Sequence, residues 1–323
     1  MQPAKSKNIQ LEMWQDLSQE LTGLQVVSIA AGPLNDLYVL AARPPIDYQE
    51  IVSGAGFPKV NPVHDQDFAV LQVSDTKTTR IEIVRQRWNY HQVQPLPDGE
   101  ILLVCARSRY RGQDDYDLNA RVFSSDGKLK REFLLGDGIR DVQATHAGQL
   151  WVSYFDEGVF GNYGWKEPIG ASGLVQWDKF GNRLYEFSPS FEWGTICDCY
   201  ALNVVSNAET WCYYYTEFPL VQIRNGRITA VWRGSISGSD GFLVWRDFVL
   251  FRGGYDDHDL YHLVRLGKND QMESVATYRL TDNEDTLLTP EQIATRGCFL
   301  YLLQEASCYR LDLREIISGE HSR

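Results

Sequence analysis

The chain contains no run of the about twenty apolar residues that a membrane-spanning helix requires. Its first eight residues lead into a mixed segment, 9–24, that lacks the apolar core of an export signal. No linker rich in Ser, Pro or Gly divides the chain, and helical patterning is confined to residues 13–24 and 289–295. Basic residues are in deficit, 31 Lys and Arg against 43 Asp and Glu, giving a net charge of −12. That balance speaks against direct nucleic-acid binding and anionic membranes, which need basic patches, and favours a cationic partner. A Gly-x-Ser-x-Gly elbow and a phosphate loop are both missing. Cys197-Asp198-Cys199 is half of a metal site, but no second Cys or His pair stands near it at ligand spacing. The six cysteines fall mainly in predicted strands, as reduced thiols packed like small hydrophobes. We therefore expect one cytoplasmic domain over residues 1–323, with no metal, no cofactor and no membrane contact.

What the chain does contain is a repeat. Residues 93–104 and 142–153 align with Val-Gln, a turn glycine and an apolar run in register, 49 positions apart. Residues 122–133 and 176–187 align at an offset of 54, sharing a glycine and a terminal Phe. A double hairpin returning at such spacing predicts propeller blades of four antiparallel strands. Asp126-Gly127 and Asn225-Gly226 are hairpin turns, since glycine takes positive φ without a Cβ clash. Four further hairpin pairs bring the set to six: residues 26–40 with 68–84, 202–214 with 220–232, 243–251 with 260–278, and 292–303 with 307–316. The predicted fold is all-β, a six-bladed β-propeller. The N-terminal segment 1–24 is expected to complete the last blade through an alternating strand at 9–14, covering an edge that would otherwise invite aggregation. Most Trp and Tyr fall at strand positions and are expected to pack between blades.

The connections between second and third strands are long, and long loops on a rigid scaffold are commonly binding elements. They span residues 42–66, 107–119, 155–173 and 252–259. These loops combine carboxylates with aromatic rings. As partner-binding candidates we take Tyr110, Asp114, Asp115, Asp156, Glu157, Tyr163, Trp165, Tyr255, Asp256 and Asp257. The carboxylates would steer a cationic partner, and the rings would anchor it.

A catalytic alternative rests on the first strands, where a hydrolase or lyase acting on a small molecule would gather its groups at the channel mouth. Aligned positions hold His91, Arg140 and Tyr200, then Gln92, Asp141 and Ala201, then Gln94, Gln143 and Asn203. No set has the consistent ligands of a metal site. The amide trio is expected to bond neighbouring backbones, and Asp141 to cap backbone donors near Gly138 and Ile139. Asp141 with His91 is the one acid–base pair this reading offers.

The stretch from Gly136-Asp137-Gly138-Ile139-Arg140-Asp141-Val142-Gln143 through Gly148-Gln149-Leu150-Trp151 to Asp156-Glu157-Gly158-Val159-Phe160-Gly161-Asn162 resembles a segment of uncharacterised bacterial propellers. The resemblance is specific over residues 91–190. Within that group the chain resembles immunity proteins of contact-dependent growth inhibition systems, paired with EndoU-type ribonuclease toxins. The resemblance implies a non-catalytic antitoxin that occludes the active site of a basic toxin domain. We expect a protein-binding propeller of this kind, with the channel-mouth enzyme as the alternative.

Overall fold

The computed structural model describes residues 6–52 and 55–321, so residues 1–5 of the expected blade-closing segment and the tip of the 42–66 loop at 53 and 54 lie outside the described residues. The chain forms two compact units, one of residues 19–189 with 195–198, the other of 1–18, 190–194 and 199–323. Each carries three antiparallel sheets that meander outward in chain order, and together the six sheets are the blades of a β-propeller.

In the first unit, blade one comprises Gln25–Ala31, Leu37–Ala42, Gln66–Val73 and Thr78–Gln86. Blade two comprises Gln92–Pro95, Ile101–Val104, Ala120–Phe123 and Leu129–Phe133. Blade three comprises Ile139–Ala144, Leu150–Tyr154, Leu174–Trp177 and Arg183–Glu186. The strand Ile101–Val104 shows why these segments read as unbroken apolar runs. Ile101 and Leu103 pack with Leu40, Phe68 and Val70 of blade one, whereas Leu102 and Val104 pack with Val142, Leu150 and Val152 of blade three. Side chains alternate across a strand, so a strand covered on both faces needs apolar residues at every position. Each fully buried Leu or Val contributes about 1.5–3 kcal/mol. The outer strand Arg183–Glu186 is covered less and is correspondingly polar.

In the second unit, blade four comprises Asp198–Val204, Glu209–Tyr215, Leu220–Arg224 and Arg227–Trp232, its first strand beginning at the last residue of the first unit. Blade five comprises Phe242–Trp245, Phe248–Phe251, Tyr261–Leu266 and Met272–Thr281. Blade six takes Gln292–Arg296, Phe299–Gln304 and Ser307–Asp312 from one end of the chain and Met13–Asp16 from the other. The hairpin turns behave as their residues require, with φ of 77° at Gly127 and of 50° and 70° at Asn225 and Gly226.

Three expectations are corrected. The N-terminal strand is split: Lys7–Gln10 runs parallel to Met272–Thr281 as a fifth strand of blade five, and only Met13–Asp16 joins the last blade. Buried Leu11, between them, packs into the core shared by blades five and six, and its N–H bonds Thr281 O at 2.8 Å. The helical patterning at 13–24 and 289–295 marks strands and turns instead. Helix occurs at α1 (Asp156–Phe160) and α2 (Leu313–His321), the latter replacing the end of the expected strand 307–316. Leu313 and Ile317, one helical turn apart, both enter the core of blades five and six, a spacing that the adjacent pair Ile316-Ile317 disguises as a strand. No helix among the described residues is long and apolar enough to cross a membrane.

Buried amides join one blade to the next. Asn203 Nδ2 donates to Phe242 O at 2.8 Å and to Gly297 O at 3.1 Å, while its Oδ1 accepts Gly297 N–H at 2.7 Å. One side chain thus ties blade four to blades five and six. Gln94 Oε1 accepts Ala144 N–H at 2.9 Å, tying blade two to blade three. Both amides come from the aligned trio and bond neighbouring backbones, while Gln143 donates to Asp141 Oδ2 at 3.0 Å. We expect Asn203→Ala to lose about 1–3 kcal/mol in urea unfolding, because it leaves the Gly297 N–H without its acceptor and takes a donor from Phe242 O, while Gly297 O keeps the N–H of Val244. An unchanged midpoint would show that the backbone finds other partners.

Candidate functional site

In the first unit the long loops carry structure of their own. The blade-one loop forms a hairpin, Gln49–Val52 with Ala55–Pro58, and the blade-two loop forms another, Tyr110–Gly112 with Asp115–Tyr116. The blade-three loop begins with α1. Asn89 Nδ2 holds the base of the first loop by donating to Asp47 O and Lys59 O, at 2.7 and 2.8 Å.

The centre of this loop assembly is Arg107, a full guanidinium only 2% exposed. Its Nε and Nη2 donate to Asp137 Oδ1 and Oδ2 at 2.9 and 2.8 Å, a two-pronged pair, and Nη1 donates to Glu157. The ring of Tyr163 lies over it with the centroid 4.0 Å from the guanidinium carbon. Burial works against both charges, and it pushes the Asp137 carboxyl above its ordinary value. The hydrogen bonds and attraction of Asp137, and then Glu157, outweigh burial at Arg107 and hold the guanidinium firmly protonated. Asp137 Oδ1 also accepts Ser108 N–H at 2.8 Å, which fixes the first residues of the blade-two loop.

The backbone around this pair explains the glycines. Gly138 has φ of 68°, and a Cβ there would strike the backbone of Gly158 in α1. A Cβ on Gly158 would in turn stand 2.6 Å from the carbonyls of Asp137 and Gly138. Only paired glycines let the connection into blade three lie directly against α1. Phe155 N–H then bonds Gly138 O at 2.9 Å and sets the start of that loop.

The aromatic candidates Tyr110, Tyr163 and Trp165 are gathered here. Trp165 Nε1 donates to Ser108 O at 2.7 Å, and its ring lies 4.9 Å from that of Tyr110 and 6.2 Å from that of Tyr116. Tyr163 stacks on Arg107 and Arg109, and its hydroxyl donates to Pro58 O at 2.9 Å, tying in the blade-one loop. All three are part-buried and fasten loop to loop. The rings left exposed are Tyr116, 39% accessible, and Phe160, 68% accessible.

The carboxylates divide similarly. Glu157 is held by Arg107, and Asp115 pairs with Arg111 at 2.8 Å. Asp114 sits exposed at a φ of 63° in its turn, and exposed Asp156 accepts the N–H of Glu157 at 2.7 Å. In the second unit Asp257 pairs with Arg279 at 2.5 Å, whose hydrogen bond draws its pKa down, while Asp256 is exposed. Tyr255 is exposed, and its hydroxyl meets that of Tyr200 at 2.5 Å. The six cysteines are free thiols, all buried but the part-buried Cys197.

His91 and Asp141 are held by separate bonds. His91 Nδ1 accepts Ala106 N–H at 3.2 Å, and its ring meets Tyr48 edge-on at 5.2 Å. Burial, followed by the nearby Arg107 charge, lowers the His91 pKa to about 4. Asp141 Oδ1 accepts Val142 N–H at 2.7 Å and Oδ2 accepts from Gln143. It therefore does not cap the turn at Gly138 and Ile139; Ile139 N–H bonds Ala106 O, and Asp137 supports the turn. Sequence reasoning passed over Arg107 and Asp137. The signal was there in an acid flanked by two glycines just before a first strand.

Fold and site together define a six-bladed β-propeller with preassembled loops on its first three blades. The profile of the YxzG family matches residues 170–311 of the chain. No curated protein matches it. Among solved structures, a gluconolactonase from Xanthomonas campestris is similar at 10% identity and a TM-score of 0.43, covering 96% of this chain and 97% of its own. The computationally designed Ika8 protein is similar at 8% identity and a TM-score of 0.44, covering 94% and 99%.

Two outcomes follow from the site. Asp137→Ala leaves a buried guanidinium without its main partner, and breaking such a pair costs about 3–5 kcal/mol. Hydrogen exchange should accelerate across both 107–119 and 155–173, and acceleration confined to one loop would show that Arg107 does not organise both. The second outcome concerns pH. A histidine whose folded pKa lies near 4 binds its proton more weakly than in the unfolded chain, at about 6.5. Stability is thus lost as pH falls through that window, by up to about 1.4 kcal/mol per pH unit for one proton. The slope of denaturation free energy between pH 6 and 4.5 should be shallower in His91→Gln than in the parent. Equal slopes would place the titration elsewhere.

Proposed function

We propose that this propeller is a protein-binding module that acts as an immunity protein, covering the basic active site of a nuclease toxin with its acidic loops. The observation that carries this reading is the loop assembly of the first unit. Arg107, Asp137 and Tyr163 pin its interior, while Asp114, Asp115 and Asp156 stand at its exposed rim with the rings of Tyr116 and Phe160. A surface ordered before contact loses little conformational freedom on binding, which favours tight association. Carboxylates at the rim would take the place of RNA phosphates and steer a basic partner. The resemblance to immunity proteins paired with EndoU-type ribonucleases suggests such a domain as that partner, and the net charge of −12 is of the required sign. The exposed Asp256 and Tyr255 of the second unit provide a further acidic and aromatic loop.

The rings divide into two roles. Tyr116 and Phe160 are free to bury against a partner, whereas Tyr110, Tyr163 and Trp165 keep the loops in shape. The test is binding kinetics against a purified EndoU-type ribonuclease domain at two salt concentrations. Reversing Asp114, Asp115 and Asp156 to Lys should slow association at low salt and flatten its salt dependence. Surface changes of this kind shift stability by only about 0.5 kcal/mol, so folding should hold. Tyr116→Ala and Phe160→Ala should instead speed dissociation. Undiminished binding by the triple reversal would mean that these loops are merely solvated.

A further inference from the structure

We propose that a cluster of aromatic rings on the second unit binds an arginine side chain carried on a basic segment of a partner protein. Tyr200 lies near the start of blade four's first strand, and Tyr215 ends its second. Phe218 follows in the connection to the third strand, and Tyr255 belongs to the same connection of blade five. In an antiparallel blade the start of the first strand and the second connection fall at one end, so the four rings gather there.

Phe218 is the hub. Its ring centroid lies 5.2 Å from that of Tyr200, 5.8 Å from Tyr215 and 5.9 Å from Tyr255, each edge to face, and it stacks on buried Tyr213 at 5.4 Å. Tyr200 and Tyr255 also meet edge to face, at 5.9 Å. The backbone accommodates these contacts at a cost. Phe218 has φ of 52°, a left-handed conformation that a bulky residue adopts only under strain. A Cβ on Gly238 would stand 2.5 Å from the Tyr255 ring, so that ring lies directly on glycine backbone, and Tyr255 N–H donates to Ser237 O at 3.1 Å. Strain of this kind persists where packing enforces it and gathers at ligand-binding positions.

Burial stops at the hub. Phe218 is 6% exposed, but Tyr215 and Tyr255 keep 45% and 57% of their surface open to solvent. Rings held this firmly at a surface lose little freedom when a ligand settles on them. Charge then selects the ligand. Glu217 and Asp256 are exposed, Asp259 is part-buried, and none of the three forms an ion pair among the described residues. The only bases of the connections 215–219 and 252–260 are Arg252, paired with Asp240 at 2.8 Å, and His258. A neutral ligand would leave these charges unused. A guanidinium is flat, so it can stack on a tyrosine face while its N–H groups reach carboxylates beside the ring, and the compact lysine ammonium lacks that fork. Recognition of this kind needs only a basic segment, whether or not its owner is a nuclease.

The test titrates the full chain with three short Gly/Ser peptides that differ only in carrying two arginines, two lysines or two citrullines. Calorimetry at neutral pH in about 150 mM salt screens charges beyond about 8 Å and so damps general attraction to an acidic chain. The arginine peptide should saturate, binding at least about threefold tighter than the lysine peptide and about tenfold tighter than the citrulline one. Tyr215→Ala and Tyr255→Ala should each weaken the arginine peptide by about threefold or more, while Tyr215→Phe and Tyr255→Phe, which keep the ring, should retain it. Glu217→Gln with Asp256→Asn should weaken the arginine and lysine peptides alike. These variants leave Asp114, Asp115 and Asp156 of the first unit untouched, so their outcome is separate from that of nuclease binding. The assignment is overturned if the arginine peptide does not saturate, if lysine or citrulline matches it, or if removing the rings leaves its affinity unchanged. Tyr215 stands at an exposed strand end, so Tyr215→Ala decides should Tyr255→Ala fail to fold.

Discussion

A guanidinium sealed away from water has to be answered, and the answer given to Arg107 shapes the whole loop assembly of the first unit. Asp137 supplies both oxygens, Glu157 a third contact and Tyr163 a ring face. Meeting those demands fixes three separate stretches of chain. Asp137 must sit in the connection between blades two and three, Glu157 in α1, and Tyr163 beyond it. The paired glycines at 138 and 158 are a consequence, since the two backbones must touch for the carboxylates to converge. A hydrophobic replacement could give similar stability, but it would not fix three loops in one register.

The surface charge reads differently once such pairs are known. A net charge of −12 suggested an acidic loop face, yet several loop carboxylates are already engaged. Glu157, Asp115 and Asp257 each pair with an arginine, Asp115 while still exposed, whereas the exposed Asp114, Asp156 and Asp256 form no ion pair with an arginine among the described residues. The aromatic rings divide in the same way. Side chains chosen for their chemistry alone prove to be partly scaffold and partly surface, and the division follows from which of them can reach a buried partner.

The six blades were legible because their strands are apolar on both faces and their turns need glycine or asparagine at fixed places. Asn225-Gly226 and Asp126-Gly127 announce hairpins without any tertiary context. Two of the places where the reading slipped are ones where tertiary packing overrides local pattern. Leu11 is drawn into the core and divides the N-terminal strand, and Leu313 with Ile317 draws the last segment into a helix. The site was legible only as a set of loops. Arg107 looked like one member of a basic cluster, because nothing local distinguishes an arginine that is buried from one that is solvated. Its partner lies 30 residues away in sequence.

The outermost strand of blade six has a consequence for the order in which the molecule can be made. Met13–Asp16 pairs with Ser307–Asp312, so one edge of that sheet leaves the ribosome nearly the whole chain length before the other. At roughly 5–20 residues per second the early strand waits on the order of 15–60 s for its partner. Blades one to three need only local pairings and can settle as they emerge. Throughout that interval an unpaired segment carrying Trp14 and Leu17 is available to other nascent chains. The polar residues Glu12, Gln15 and Asp16 interleaved along it are suited to keeping it dispersed until the final blade arrives.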